Sequence, residues 1–312
     1  MAGERALPLI VILGPTASGK TGAGIAMGQT LDGEIVSADS RQIYRYMDIG
    51  SAKPTPEQRA LVPHHLLDLV DPDQTLSMAE WLAQAQAVIA DIHARGRLPL
   101  LVGGTGQYIT ALIEGWSIPR VPPDEQLRAD LEQFAAEHGA IALHERLRAL
   151  DPAGAETIHP NNIRRVIRAL EVCEATGARW SDLQRKQPPP YRIRQYGLTM
   201  AREQLYARAD ARLDQMLVDG FLEEVRRLFE QGYHRELPSM SGLGYAELTA
   251  HLLDGEPLDA AVLRAKHNTH DFIRRQYTWF RGHDGGKILW QDVETLAINA
   301  LIEDAAGWLK QE

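Results

Sequence analysis

A chain of 312 residues with 44% hydrophobic side chains has enough apolar material for one large core or two smaller ones. Its 42 acidic and 33 basic residues leave a formal net charge of −9, which excludes a protein that is basic all over but not a local basic groove. The single cysteine, Cys173, excludes an internal disulfide and a cysteine-built metal site. That cysteine usage fits a reducing cytosol, so a cytoplasmic protein is expected, and with no apolar run of bilayer length no transmembrane helix is expected.

Leu7 to Leu13 (LPLIVIL) is an apolar, β-branched run that predicts a buried parallel strand. It leads into Gly14-Pro15-Thr16-Ala17-Ser18-Gly19-Lys20-Thr21, which matches G-x-x-x-x-G-K-[ST], a loop whose backbone N–H groups wrap phosphates. Thr21 to Leu31 carries apolar residues at helical spacing, so the loop opens a helix whose N-terminus faces an anion. Lys20 would supply a point charge and Thr21 a hydroxyl for Mg²⁺. Glu34 to Ala38 predicts a second strand and His65 to Val70 a third. Ser77 to His93 predicts a helix, and Leu98 to Val102 a fourth strand ending in Gly103-Gly104. This alternation is a doubly wound α/β pattern with its ligands at the carboxyl ends of the strands.

Pro119, Pro122 and Pro123 then break the chain, and residues from about Asp124 to Arg185 read as wholly helical. Tyr191 to Leu198 returns to strand-like alternation, followed by one long amphipathic helix from Arg202 to Gln231. Helical segments follow at Gly244 to Leu253 and Leu258 to Arg281, and Lys287 to Trp290 adds a short edge strand. The fold expected is α/β, a P-loop NTPase-like parallel-sheet core over 1–118 and 191–312 with a mostly helical inserted domain over 119–190.

Three features carry chemistry. Asp39, directly after the second strand, falls near the phosphate loop, where a carboxylate can act as a general base or hold Mg²⁺ through water; an Asx-turn is the structural alternative. Gly103-Gly104-Thr105-Gly106 lets the backbone pass close to a ligand and offers the Thr105 hydroxyl to a phosphate. Basic residues gather in two clusters. One is Arg164, Arg165 and Arg168, continued by Arg179, Arg185, Lys186, Arg192 and Arg194. The other is Arg274, Arg275 and Arg281, interleaved with Tyr277, Trp279 and Phe280. Arginines with aromatics suit phosphate contacts and base stacking, which favours a nucleic-acid groove over solvated helix faces. Arg208 and Arg212, one helical turn apart, could clamp a diphosphate.

Taken together, GPTASGKT at 14–21, DSRQIYRYMDIGSAKP at 39–54, HHLLD at 64–68, VGGTGQY at 102–108, RRVIRALEV at 164–172, GFLEEVRRL at 220–228 and RRQYTWFR at 274–281 resemble the tRNA dimethylallyltransferase (tRNA isopentenyltransferase) family of bacterial type. The motifs run in order along nearly the whole chain. The resemblance implies transfer of a dimethylallyl group from dimethylallyl diphosphate to the exocyclic amine of the adenosine 3′ to the tRNA anticodon, with diphosphate leaving. It implies Asp39 as the base, with Thr105 and Arg208 as further catalytic groups. It also implies Gly14 to Thr21 as the diphosphate loop, and Thr21 as the ligand of a Mg²⁺ cofactor. Asp39, Ser40, Arg41, Gln42, Thr105, Arg128, Arg164, Arg165, Val166, Ile167 and Arg168 match family positions that contact the tRNA anticodon stem-loop. No obligate protein partner is implied, and a monomer is the expected state. The sequence departs from the family pattern at Gln107, Ser241 and Ala246.

Two other readings use the same loop. One is a small-molecule or nucleoside kinase using ATP, against which stands the lack of an apolar run ending in an aspartate. The other is a non-catalytic P-loop RNA-binding protein, which leaves the acid beside the phosphate loop without a task. A regulatory GTPase is excluded by the absence of N-K-x-D.

Overall fold

The computed structural model describes residues 6–187, 189–295 and 298–311. The chain divides into two compact units, one of Met1–Ile113 with Pro190–Glu312 and one of Glu114–Pro189. Among the described residues no helix is long and apolar enough to cross a membrane.

The first unit begins β1 (Leu7–Leu13), α1 (Lys20–Thr30), β2 (Gly33–Ala38), α2 (Pro56–Leu61), β3 (His64–His65), α3 (Met78–Ala94), β4 (Leu98–Gly103) and α4 (Gly106–Glu114). The second unit carries α5 (Glu125–Leu150), α6 (Pro152–Thr157), α7 (Ile163–Thr176) and α8 (Trp180–Leu183). The first unit resumes with β5 (Tyr191–Thr199), α9 (Arg202–Val218), α10 (Phe221–Glu230), α11 (Tyr245–Asp254), α12 (Leu258–Gly282), β6 (Ile288–Asp292) and α13 (Ile298–Lys310).

Six parallel strands form one sheet in the order β3-β2-β4-β1-β5-β6. Leu9 to Leu13 of β1 are all buried, as expected of a strand flanked on both sides and covered on both faces. The chain leaves β1 toward β2 and later returns to its other side at β5, so a topological switch falls at the carboxyl end of β1. The register sets Ala38, Gly103, Leu13 and Gly197 in one row. Asp39, Gly104 and Gly14 therefore leave the sheet side by side. With strands about 4.8 Å apart, Asp39 and the phosphate loop start roughly 10 Å from each other.

Two expected elements come out differently. The strand at His65 to Val70 joins the sheet only over His64–His65, because Leu66 and Asp68 take left-handed φ values of 64° and 54° that turn the chain off it, and Val70 makes an isolated bridge to Tyr44 instead. The single helix from Arg202 to Gln231 is two, α9 and α10, broken at Gly220, whose φ of 101° no helix interior admits. The stretch from Asp124 to Arg185 is helical as expected, in four helices, with α5 kinked at Gly139 and the short α6 capped by Asp151. In the second unit Leu131, Leu143, Leu147, Val166 and Leu170 form a core of their own.

At the far edge of the sheet, opposite the loops, Glu34 is almost fully buried and accepts from Arg95, Arg97 and His65. The Arg95 hydrogen bond, against the opposing effect of burial, pulls the Glu34 carboxyl down to about 2, with His65 and Arg97 adding to it. A folded value below the unfolded one means that this stabilisation is present above about pH 4.5 and lost as pH falls toward 2. Glu34→Gln is expected to cost about 2 kcal/mol at neutral pH and to flatten stability across that acidic window, read from urea melts at stepped pH. An unchanged acid midpoint would assign the window to other carboxylates.

Candidate active site

The loop from Gly14 to Gly19 joins β1 to α1, as the motif requires. Gly14 has a φ of 149°, and a Cβ there would lie 2.6 Å from the Leu198 carbonyl oxygen, so only glycine fits. Ala17 and Gly19 also take positive φ, which curls the loop back on itself. The Ser18 hydroxyl is fully buried and finds no hydrogen-bond partner among the described residues. The Lys20 ammonium folds onto its own loop, donating to the Pro15 carbonyl at 2.6 Å. Burial, then the nearby Arg212, push Lys20 down to about 7, while Asp39 pulls it up.

Asp39 follows β2 and uses one carboxylate oxygen, Oδ1, to accept from the backbone N–H groups of Arg41 (2.8 Å) and Gln42 (3.4 Å). The Asx-turn is thus present, and it aims the carboxylate rather than consuming it, since Oδ2 has no partner among the described residues. Asp39 acts electrostatically on both Lys20 and Arg212. Lys20, Thr21, Asp39, Gln42, His64 and Gly103 line one small cavity of about 40 Å³. Thr105 begins the turn after β4. Its N–H donates to Ala38 (3.1 Å), and its hydroxyl accepts from the Ser40 N–H (3.0 Å), tying the GGTG loop to the Asp39 loop. Gln42 is anchored by donating to the carbonyls of Ser51 and Ala52.

From α9, Arg212 donates to the Thr16 hydroxyl in the phosphate loop. Desolvation lowers its guanidinium, opposed by Asp39 and aided by Arg208. Arg208 itself is exposed and has no hydrogen-bond or ion-pair partner among the described residues. Of Arg208 and Arg212, Arg212 is the one that meets the loop.

The sequence singled out neither Gln276 nor Glu224. On α12, Gln276 accepts from the Thr16 N–H and donates to the Gly104 carbonyl, each at 2.9 Å, so one side chain spans the phosphate loop and the GGTG loop. It lies on the buried stripe with Ile273 and Phe280, and a polar residue on an apolar helical face was the legible signal. Glu224, buried on α10, accepts from the N–H groups of Asp48, Ile49 and Gly50 and from the Tyr245 hydroxyl, which fixes the loop behind Gln42.

The basic residues sort differently from the sequence reading. Arg128 and Arg168 both bond the buried carboxylate of Glu171, which also accepts from the Asp124 N–H (2.8 Å). Burial works against that charge, but these bonds outweigh it and hold the carboxyl below its usual range. Val166 and Ile167 are 0% and 4% exposed, so their side chains pack the second unit's core instead of offering themselves to a ligand. Arg164 and Arg165 are exposed. Arg192 and Arg194 are structural: one caps the end of α13 at Trp308 and Gln311, and the other pairs with Asp304. Arg41 donates to Pro238 (2.9 Å) and to Ser241 (3.3 Å), a use for one of the departing positions. On α12 the aromatics differ in burial. Phe280 is buried, Tyr277 shares a hydrogen bond with Thr199 (2.8 Å), and Trp279 donates to Thr110 (3.0 Å) and packs where a Cβ on Gly106 would sit. Tyr277 and Trp279 stay half-buried, and Trp279 lines an open cavity of about 520 Å³ with Arg274, Arg275 and His283, so of the three rings only Phe280 is withdrawn from base stacking.

The model of the family described as IPP transferase matches residues 42–283. A tRNA dimethylallyltransferase of Roseiflexus sp. (strain RS-1) is 58% identical over 275 residues, covering 88% of this chain and 90% of the relative. One from Chloroflexus aurantiacus is 53% identical over 273 residues, covering 88% and 92%. Among solved structures, the full-length tRNA isopentenylpyrophosphate transferase of Bacillus halodurans superposes with a TM-score of 0.71 at 40% identity, over 97% of this chain and 95% of that one. A eukaryotic dimethylallyltransferase acting on tRNA gives 0.83 at 27% identity, over 98% and 81%. These likenesses extend along the same chain that builds the phosphate loop and its neighbouring carboxylate, and they place the protein in the IPP transferase family.

Proposed function

We propose that this protein is a tRNA dimethylallyltransferase that moves a dimethylallyl group from dimethylallyl diphosphate to the exocyclic amine of the adenosine 3′ to the anticodon. The observation that carries the reading is the Asp39 carboxylate set beside the phosphate loop, in electrostatic reach of Lys20 and Arg212. A kinase could use the same carboxylate on an acceptor hydroxyl, and it is the relatives' names that favour prenyl transfer over phosphoryl transfer.

The chemistry follows from the groups present. The adenine amine is a weak nucleophile because its lone pair is delocalised into the ring. Its nitrogen attacks the allylic carbon, the carbon–oxygen bond breaks, and the electron pair leaves with diphosphate. The amine proton passes to the free oxygen of Asp39. The backbone N–H groups of the loop, Lys20, Arg212 and the Ser18 hydroxyl neutralise the leaving diphosphate, with Arg208 completing the clamp. Thr16 and Thr105 hold the loops in register around it. A Mg²⁺ ion suits the site, because the Thr21 hydroxyl, diphosphate oxygens and water make a hard all-oxygen donor set. When bound it would add positive charge where the leaving group develops negative charge. The adenine must flip out of the anticodon loop to reach Asp39. Asp39 to Gln42 would receive it. Exposed Arg164 and Arg165 would contact the phosphate backbone, and Arg128 and Arg168 would serve by holding that helix through Glu171.

Incubation with unmodified tRNA, Mg²⁺ and labelled dimethylallyl diphosphate tests the reading. Label transferred to tRNA is expected. No label, together with ATP turnover on a small acceptor, would overturn it in favour of the kinase.

A further inference from the structure

Tyr46 is displayed rather than packed. Its backbone is held at a φ of 66°, a left-handed conformation disfavoured for any residue with a bulky side chain. Burial does not offset this, since Tyr46 is 51% exposed. The turn around it is pinned on both sides. Tyr44 and Met47 are buried, the Arg45 N–H donates to the Val70 carbonyl (2.9 Å), and the Ser51 hydroxyl donates to the Met47 carbonyl. The ring lies against Tyr233, just past the end of α10, with centroids 6.4 Å apart and planes inclined by 27°. Backbone strain that contributes nothing to the core gathers at ligand sites.

Tyr46, on the same loop as Asp39 to Gln42, forms an outward-facing aromatic pair with Tyr233 from the segment after α10. The charges around them favour a base over a phosphate. Arg45 is already paired with Asp71 (3.0 Å), and Asp71 and Asp73 both act on Tyr233, with Arg45 opposing them. Acidic groups repel a phosphate, whereas a flat base face stacks without charge.

We propose that Tyr46, backed by Tyr233, is a stacking platform for an unpaired base of the tRNA anticodon loop, next to the adenosine received by Asp39. The proposal rests on the tRNA-modifying reading above. The test uses Tyr46→Gly and Tyr46→Phe in the full chain, with unmodified anticodon stem-loop RNA as the probe in fluorescence anisotropy across a salt series. Glycine adopts the left-handed turn freely, so Tyr46→Gly is expected to melt at or above the wild-type temperature. It should bind the stem-loop about tenfold more weakly with an unchanged salt slope. Tyr46→Phe should bind as the wild type does. Wild-type affinity in Tyr46→Gly overturns the platform. So does a reduced salt slope, which marks a phosphate contact, or a fall in melting temperature that accompanies the loss of affinity. The two readings fail separately. If the wild type binds the stem-loop but transfers no prenyl label, the reaction falls, while a tenfold loss in Tyr46→Gly still upholds the platform.

Discussion

Asp39→Asn is expected to lower kcat for prenyl transfer by about 10²- to 10⁴-fold while tRNA affinity stays within about twofold. Asparagine is the informative replacement because Asp39 has two tasks. Its Oδ1 holds the turn by accepting from the Arg41 and Gln42 N–H groups. The amide oxygen of asparagine keeps that turn, so what is removed is the proton acceptor and the charge. Asp39→Ala would lose both and could not separate chemistry from geometry. A second signature follows from charge alone. Asp39 raises Lys20 and Arg212 toward their charged forms, but it also repels a diphosphate. Removing it should leave the KM for dimethylallyl diphosphate unchanged or lower, so the loss appears in kcat. Single-turnover transfer of labelled prenyl to tRNA measures the step. A near-wild-type rate in Asp39→Asn would remove Asp39 as the base.

The parts of this site that the sequence made legible are those written in local chemistry. A β-branched run, a glycine-rich loop and a helix opening at Lys20 form one continuous segment, and their spacing dictates a phosphate cradle with no knowledge of the rest of the chain. Asp39 and Thr105 were also accessible, because each directly follows an apolar strand, and parallel strands bring their carboxyl ends to one edge. What stayed hidden depends on partners far away in sequence. Arg128 and Arg168 read as free cations until Glu171, buried between them, is seen to take both. Arg192 and Arg194 read as part of a basic cluster, yet they lie on β5 against α13, a helix that the sequence reading had not placed. The break at Gly220 was hidden because the apolar periodicity continues on either side of it. In the arginine-aromatic motif on α12 the ring that packing withdraws is Phe280, while Arg274, Arg275 and Trp279 line an open cavity. Composition says that such residues suit nucleic acid, but only packing says which way the rings point.

The same segment holds Gln276, and Gln276→Leu should expose its task with a loss of about 10²-fold in kcat/KM for dimethylallyl diphosphate. Leucine keeps the volume on the buried stripe but cuts both bonds of the strap. The Thr16 N–H and the Gly104 carbonyl then lose their partners, at about 1–3 kcal/mol for each group left unsatisfied. The two loops recover their hydrogen bonds by shifting, and a shift near 1 Å between the diphosphate cradle and the Thr105 turn is enough for such a rate loss. Gln276→Glu separates this positioning role from mere packing. An ionised carboxylate still accepts from Thr16 but repels the Gly104 carbonyl. Once protonated, it donates to that carbonyl as the amide does. Burial raises the introduced carboxyl's pKa above that of a free carboxylate, which brings its titration into the assay range. Activity of Gln276→Glu relative to wild type should therefore rise as pH falls from about 8 toward 5.5, while the ratio for Gln276→Leu stays flat. Parallel pH profiles for the two variants would reduce Gln276 to a space-filling residue. Wild-type kcat/KM in Gln276→Leu would show that the loops hold their register without it.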